Sequence, residues 1–228
     1  MKFSFHVTCG HCSNKFLVHA TGNQPPKSAQ CPGCDASIWL IQPLGNLVGM
    51  AILRRAETEM ENGDWTLTLV LTAMGVECQL AYLFMKWNRI DLMLNRNPTA
   101  ADEEAWEKQW RDEARTIASR FDKVSELLTG QRLNPFLSQN SELLKEVHTL
   151  YQASKATSPK DFFVRELFHK RNRIVHFGKI DYQQSDAKAC LTLGLTLWKI
   201  LAAMDAHRLQ KLEANHSIQV PGTASSKT

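Results

Sequence analysis

Two Cys-x-x-Cys motifs near the start of the chain, Cys9–Cys12 and Cys31–Cys34, constrain the fold more than any other feature of the sequence. Two residues between the cysteines let both thiolates bind one metal ion from a single tight turn, and Gly10 and Gly33 can supply the positive φ that such turns often need. Two of these turns complete a tetrahedral site of four thiolates, which is typical of structural Zn²⁺. The predicted metal ligands are Cys9, Cys12, Cys31 and Cys34. Because four ligands leave no open position, we expect the ion to stabilise the fold rather than to catalyse a reaction.

Residues 1–42 resemble a zinc ribbon, in which two such turns are held by a small antiparallel sheet. Short runs that favour β-strands, FSFHV, KFLVHA and SIWLI, accompany the two motifs. A segment of this size is too small for a sufficient core, so we expect the metal to provide its stability. His11 lies between two ligands and is expected to face solvent, the alternative being that it replaces one of them. Cys78 and Cys190 lie in apolar segments and are expected in the core.

From Leu47 onward the apolar residues recur with helical spacing. The sequence therefore predicts a mostly α fold, a bundle of five to six helices over residues 47–214 preceded by the small β module and followed by a disordered tail at 215–228. Local signals place the helices at about 47–61, 64–95, 99–130 and 186–214, with two more after Asn134-Pro135 and Ser158-Pro159.

The composition is that of an ordinary soluble protein, with 43% hydrophobic and 22% charged residues. The net charge of +4 permits nucleic acid as a partner without requiring it. The first residues lack the apolar core of a signal peptide, so we expect a cytoplasmic protein with reduced cysteines. The most apolar segment, residues 67–85, contains Glu77. Because a carboxylate in the middle of a membrane span is costly, we expect a buried core helix and no membrane association.

The predicted helix over residues 163–177 is the most informative one. Its apolar residues share one arc, and five polar residues share the opposite face at the spacing i, i+4, i+7, i+8 and i+11. These residues are Arg165, His169, Asn172, Arg173 and His176. The face combines two imidazoles with donors suited to phosphate. An ordinary basic helix end, closed by Gly178, accounts for the same composition without any function.

Arg171 does not fit this division, because on an ideal helix it falls within the apolar arc, where an unpaired guanidinium is costly. Either the helix ends nearby and Arg171 swings toward His176, or Arg171 pairs with a buried carboxylate. Glu77 is the candidate, since it is the one acidic residue between Asp64 and Asp91. A buried glutamate needs a partner or stays protonated. We predict an Arg171–Glu77 contact; the alternative is that Glu77 faces a solvent groove.

Residues 171–176, RNRIVH, match the R-N-x-x-x-H motif, and on these residues the helical part resembles the HEPN (higher eukaryotes and prokaryotes nucleotide-binding) superfamily. The resemblance covers about residues 47–214 and includes an acidic residue on an earlier long helix, here Glu77. Arg173 inside the motif and the attached metal module go beyond the general family pattern. Many members are metal-independent endoribonucleases that act as dimers across a cleft, and others only bind nucleotides or RNA.

The resemblance implies an endoribonuclease of toxin or defence type. His176 would be the acid or base when the RNA 2′-hydroxyl attacks phosphorus, and Arg171 would stabilise the charge on the phosphoryl oxygens. Asn172 would orient the imidazole or donate to phosphate, and Glu77 would hold Arg171. The residues expected to attract the substrate phosphates are Arg173, Lys170 and Arg165.

RNA is therefore the expected partner, and the family implies a homodimer; an antitoxin or another protein partner is left open. The competing interpretation is a non-catalytic RNA- or nucleotide-binding adaptor whose zinc ribbon docks a partner. The complete Arg–Asn–His set favours the enzyme, because a pure binder does not need an imidazole at that position. A structural helical scaffold leaves Arg171 and Glu77 unexplained.

Overall fold

The computed structural model of the chain describes residues 2–9, 12, 14–21, 28–35, 37–39 and 44–216. The chain divides into two compact units: Gly45–Leu209 forms one, and Met1–Leu44 together with Gln210–Thr228 forms the other. Gly10, His11 and nearly all of the predicted tail at 215–228 lie outside the described residues, so the predictions made for them stay predictions.

The described part of the N-terminal unit contains two small antiparallel sheets. β1 (Lys2–Thr8) pairs with β2 (Lys15–Thr21), and β3 (Ser28–Gln30) pairs with β4 (Ser37–Trp39). The first cysteine motif lies in the connection between β1 and β2, and the second lies between β3 and β4. Each motif therefore occupies the turn of a hairpin, where two thiolates can be presented on the same side.

The remainder of the described chain is helical. Its α-helices are α1 (Leu44–Glu61), α2 (Trp65–Met93), α3 (Ala100–Glu113), α4 (Ile117–Thr129), α5 (Leu133–Gln139), α6 (His148–Ala153), α7 (Pro159–Phe163), α8 (Lys170–Phe177) and α9 (Gln184–His216). A 3₁₀-helix covers Ser141–Val147 between α5 and α6, and a π-helical segment covers Val164–His169 between α7 and α8. The predicted mostly α fold and helical bundle are confirmed.

The strongest local signals begin and end helices where the sequence predicts. The Asp64 carboxylate accepts a hydrogen bond from the Leu67 N–H at 2.9 Å and caps α2. Thr99 forms a capping box at the start of α3, with an aspartate in place of the usual Glu or Gln. Gly63 and Gly178 follow α1 and α8, with φ of 79° and 64°. Residues with a Cβ disfavour this left-handed backbone, so glycine ends both helices.

The prediction of one helix from Thr99 to Gly130 was wrong. The chain leaves the helical conformation at Ala114, with φ −105° and ψ 49°, and starts again after Thr116. Thr116 accepts a hydrogen bond from the Ser119 N–H at 3.1 Å, and the Ser119 hydroxyl accepts one from the Thr116 N–H at 3.1 Å. This second capping box divides the segment into α3 and α4. With the short α5 and α6, the described residues hold more helices than the five to six predicted.

α2 is the central helix of the larger unit and contacts α3, α4 and α8. Twelve of its residues are buried, among them Leu80 and Trp87, so the apolar segment at 67–85 lies in the core of the unit. By length and composition alone, Trp65–Met93 and Gln184–Leu212 are apolar enough to cross a membrane. The core helix of a soluble protein meets the same criterion. The prediction that the chain does not associate with a membrane is therefore not tested by this observation.

One helical rod, Pro159–Phe177, contains a π turn, which we define as the segment Val164–His169. A π turn holds one residue more than an α turn, so the residues after it are rotated by about 100° relative to an uninterrupted α-helix. Leu167 and Phe168 are buried within the π turn, whereas α8 contains no buried residue. The buried part of this rod therefore ends within the π turn, directly before the RNRIVH motif. The helix that places Arg171 in the apolar arc is thus not a regular α-helix up to that residue.

Candidate active site and metal centre

The four predicted metal ligands converge on one point. Their Sγ atoms all lie within 4.8 Å of one another, with 3.6 Å between Cys9 and Cys34 and 3.5 Å between Cys12 and Cys31. Zn–S bonds of about 2.3 Å in a tetrahedral site place the sulfur atoms about 3.8 Å apart. The observed spacing therefore fits a metal ion with four thiolate ligands. Cys9 and Cys31 are buried, and Cys12 and Cys34 are exposed.

The turn of the second motif does not use a positive φ at Gly33, so that prediction was wrong. The left-handed residue is Asp35, with φ 53°, and its N–H donates to the Cys31 carbonyl at 2.9 Å. The Gly33 N–H donates to Cys31 Sγ at 3.4 Å. A Cβ at Gly33 would lie 2.9 Å from the side-chain nitrogen of Asn14. Gly33 thus allows a close approach of the two hairpin turns.

In the helical unit, Arg171 forms the predicted ion pair with Glu77. Arg171 Nη2 lies 2.5 Å from Glu77 Oε2, and the two side chains are 23% and 22% exposed. The pair joins α8 to α2 at the edge of the core. Of the two alternatives for Arg171, the structure shows the carboxylate partner. That partner is partly accessible to solvent rather than deeply buried.

A second arginine, Arg120 on α4, contacts the same carboxylate, and sequence reasoning missed it. Arg120 Nη1 donates to Glu77 Oε1 at 3.2 Å, and its side chain is 26% exposed. The break before Thr116 sets the rotation of α4 and hence the direction of Arg120. A single predicted helix over 99–130 therefore gave no basis for placing the Arg120 side chain beside Glu77.

Three groups fix the position of Arg120. Besides the contact with Glu77, its Nε donates to the Ala114 carbonyl at 3.0 Å, and the guanidinium lies 5.2 Å from the centre of the Trp110 ring. The Trp110 ring packs against Phe84 of α2 at 5.1 Å between ring centres. The non-helical residue Ala114 thus supplies a carbonyl that a continuous helix would have used internally.

Asn172 and His176 lie one helical turn apart on α8. The side-chain oxygen Oδ1 of Asn172 accepts a hydrogen bond from Arg171 Nη1 at 2.9 Å, so the arginine orients the side-chain amide. His176 is exposed, and within the described residues no hydrogen bond holds its ring. α8 ends one residue later, where the N–H groups of Gly178 and Lys179 donate to carbonyls of the motif. The imidazole is accessible to a substrate in solution.

The three residues predicted to attract phosphate differ in their charge balance. Lys170 lies 3.2 Å from both Glu166 and Asp186, so two carboxylates neutralise it. Arg165 lies 3.8 Å from Asp161 and also donates to a backbone carbonyl. Arg173 is exposed, and no carboxylate of the described residues forms an ion pair with it. Of the three, Arg173 offers the least neutralised positive charge.

The pKa values around Lys170 follow from these contacts. Burial alone would lower the pKa of Lys170, but the hydrogen bond to Asp186 and the nearby Glu166 outweigh burial and raise it. Burial would raise the pKa of Asp186, but the Gln183 N–H and Lys170 stabilise its charged form and lower it. Both groups are therefore charged at neutral pH, and they hold the start of α8 against the start of α9.

Large apolar side chains within and just after the motif are exposed. Val175 is 55%, Phe177 82% and Ile180 75% exposed. The Ile180 carbonyl accepts a hydrogen bond from the Thr66 hydroxyl at 3.3 Å, which places this segment beside the start of α2. The surface around His176 is thus apolar as well as basic.

The chain matches no protein-family model, no curated protein and no solved structure.

Proposed function

We propose that the helical unit is a metal-independent endoribonuclease, of the toxin or defence type that the resemblance to the HEPN superfamily implies. The observation that carries the proposal is the arrangement of the RNRIVH motif: Arg171 is held by Glu77, its guanidinium orients Asn172, and His176 is accessible one turn away. The motif thus carries a fixed cation and an accessible imidazole on one short helix, the two kinds of group that phosphodiester cleavage uses.

The reaction is a transfer of the phosphoryl group within the RNA. The 2′-oxygen forms a bond to phosphorus while the bond from phosphorus to the 5′-oxygen breaks. His176 accepts the proton of the 2′-hydroxyl or donates a proton to the leaving 5′-oxygen, since an imidazole can serve as either base or acid. Arg171 stabilises the charge on the non-bridging oxygens through its planar fork. The products carry a 2′,3′-cyclic phosphate and a 5′-hydroxyl.

For the N-terminal unit we propose a zinc ribbon. The support is the donor set: four thiolates at the spacing of a tetrahedral site, each pair in the turn of a hairpin. Zn²⁺ bound there would stabilise the two hairpins and would take no part in RNA cleavage.

We further propose that two chains pair through the surface beside the motif. The exposed Val175, Phe177 and Ile180 support this pairing, since burying them removes apolar area from water. Light scattering of the intact protein tests it. The pair is expected at twice the mass of 25.8 kDa. Replacing Phe177 by Ser should shift the equilibrium to the single chain.

The decisive experiment compares the wild type with His176→Ala on RNA and on DNA of the same sequence. A chelator is added at a concentration that leaves the bound metal in place, verified by metal analysis. We expect cleavage of RNA only, by the wild type only, with cyclic phosphate ends. His169→Ala is the matched control, because it removes a second exposed imidazole from the same rod and should keep full activity. Cleavage by His176→Ala at the wild-type rate would contradict the proposal.

The second candidate is an RNA- or nucleotide-binding adaptor without catalysis. One observation favours it: among the described residues nothing orients the His176 ring, and Asn172 is engaged with Arg171 instead. The same experiment separates the two candidates. RNA that is bound by both proteins but left intact by the wild type would support the adaptor and exclude the enzyme.

A further inference from the structure

We propose that Arg120 is a second phosphate-binding arginine, and that Arg120 and Arg171 together bind one phosphodiester group beside Glu77. The inference rests on the proposed function for the identity of the ligand as RNA. It adds a residue outside the RNRIVH motif, on a different helix, to the groups that contact the substrate.

Arg120, Arg171 and Glu77 together carry a positive charge. Two guanidinium groups and one carboxylate sum to +1, and a phosphodiester carries −1. Among the ion pairs of the described residues, Glu77 is the one carboxylate that contacts two cationic side chains. The other arginine–carboxylate pairs of the described residues are one to one, such as Arg208 with Asp91 at 3.0 Å. At 22–26% exposure the side chains are partly desolvated, so the unbalanced charge is screened less than on an open surface.

Arg120 and Arg171 have N–H groups to spare for a ligand. A guanidinium has five donors. Arg120 uses Nε on Ala114 and Nη1 on Glu77, and Arg171 uses Nη1 on Asn172 and Nη2 on Glu77. Within the described part of the chain no acceptor is bonded to Arg120 Nη2 or to Arg171 Nε. Two partly accessible guanidinium groups with spare donors on either side of one carboxylate match the several oxygens of a phosphate.

Arg120 is already held in place before a ligand binds. The Ala114 carbonyl and the Trp110 ring fix its guanidinium from two sides, independently of Glu77. A ligand that binds there does not have to order a long, mobile side chain, which lowers the entropy cost of binding. An arginine needed only to neutralise Glu77 would be redundant, since Arg171 already does so.

The test measures binding without cleavage, in the His176→Ala background. Arg120→Gln should weaken binding of a single-stranded RNA about tenfold to a hundredfold, the effect of losing a hydrogen bond between charged groups. The slope of log K against log salt should fall in magnitude by about 0.7, because one phosphate contact is lost. Arg132→Gln is the matched control: it removes an arginine that pairs with Glu126 at 3.0 Å and is 70% exposed, and both quantities should stay unchanged.

A smaller ligand isolates the single phosphate. A dinucleoside monophosphate has one phosphodiester, and its methylphosphonate analogue has the same shape without the charge. The parent protein should prefer the charged ligand, and Arg120→Gln should lose most of that preference. Arg120→Lys, which keeps the charge but not the planar fork, should keep part of it. An equal loss for both ligands, or no loss, overturns the proposal, because a purely structural Arg120 would not distinguish them.

The two proposals fail in different ways. If the wild type cleaves RNA and Arg120→Gln binds and cleaves as well as the wild type, the role of Arg120 is overturned and the ribonuclease stands. If the wild type does not cleave but Arg120→Gln still loses the preference for the charged dinucleotide, the phosphate site is supported and the enzyme is excluded. Melting curves of Arg120→Gln and Arg120→Lys show which of them is folded, and a folded Arg120→Lys alone suffices for the comparison.

Discussion

Arg171 and Asn172, neighbours in the chain, are joined through their side chains, with Arg171 Nη1 donating to Asn172 Oδ1 at 2.9 Å. The side-chain oxygen of Asn172 is thus bonded to Arg171, and the two donors of its N–H₂ group point away from that contact. Among the described residues Asn172 makes no hydrogen bond to the His176 ring, and its N–H₂ group could donate to that ring or to a phosphate. Both roles predicted for Asn172, orienting His176 and donating to phosphate, therefore stay predictions.

Glu77→Gln should destabilise the helical unit. Two arginines lose their shared carboxylate at a partly buried position, and we expect a loss of about 1–3 kcal/mol in the free energy of unfolding. Urea denaturation followed by circular dichroism measures it. Glu126→Gln breaks the exposed pair with Arg132 and should cost less than about 1 kcal/mol. Equal small losses in both variants would show that Glu77 does not hold the two arginines.

Gly178→Ala should destabilise the protein through the backbone alone. Gly178 has φ 64°, and nothing lies within 4 Å of the point that a Cβ would occupy, so the cost is that of the left-handed conformation, about 1–2 kcal/mol. Gly63→Ala, at φ 79° and with equally open surroundings, should cost the same. RNA cleavage assays distinguish the two glycine variants. Only Gly178→Ala should slow the proposed RNA cleavage, because its backbone strain lies two residues from His176.

Cys12→Ser should release the metal. Cys12 is exposed, and the loss of one of four thiolates leaves an incomplete site. Native mass spectrometry should find one metal ion per chain in the wild type and markedly less in the variant. Cys78→Ser changes a cysteine of α2 that is not one of the four clustered cysteines, so this variant should keep the full metal content. Full occupancy in Cys12→Ser would remove that residue from the ligand set.

Asp186→Asn should lower stability in a pH-dependent way. The pKa of Asp186 is lowered in the folded state, so its charged form contributes stability above the unfolded pKa of about 3.9, and the contribution is lost as the pH falls through the folded value. The variant should therefore be less stable than the wild type at pH 6, and the difference should shrink as the pH falls below about 3.9. Thermal melting across this range measures the difference. A difference that stays constant with pH would show that the ion pair with Lys170 is not its cause.

Features that depend on a few neighbouring residues were predictable from sequence. Asp64 and Ser158 begin helices and Gly178 ends one because caps and left-handed glycines act locally. The pair Arg171–Glu77 was also predictable, since each was an isolated charge in an apolar setting. Arg120 was not, because its direction depends on the break at Ala114, and sequence periodicity does not reveal a break between two amphipathic helices.

The neutralisation of Lys170 shows a second limit. Glu166 lies one turn away and is visible from sequence, but Asp186 belongs to α9 and reaches Lys170 only through the packing of the two helices. The run of cationic residues in the sequence around Lys170 therefore overstated the positive charge of the surface that carries the motif. The π turn was equally hidden, because a helical wheel assumes one constant rotation per residue.

The π turn also has a consequence for how this chain tolerates insertions and deletions. Removing one residue from Val164–His169 would restore a regular helix and rotate every motif residue by about 100°, away from the contact that Arg171 makes with Glu77 here. Homologues that lack the extra residue can thus carry the RNRIVH letters without the surface they form here. Chain length in this one segment, as much as the letters of the motif, would then decide whether a related sequence can form the Arg171–Glu77 pair.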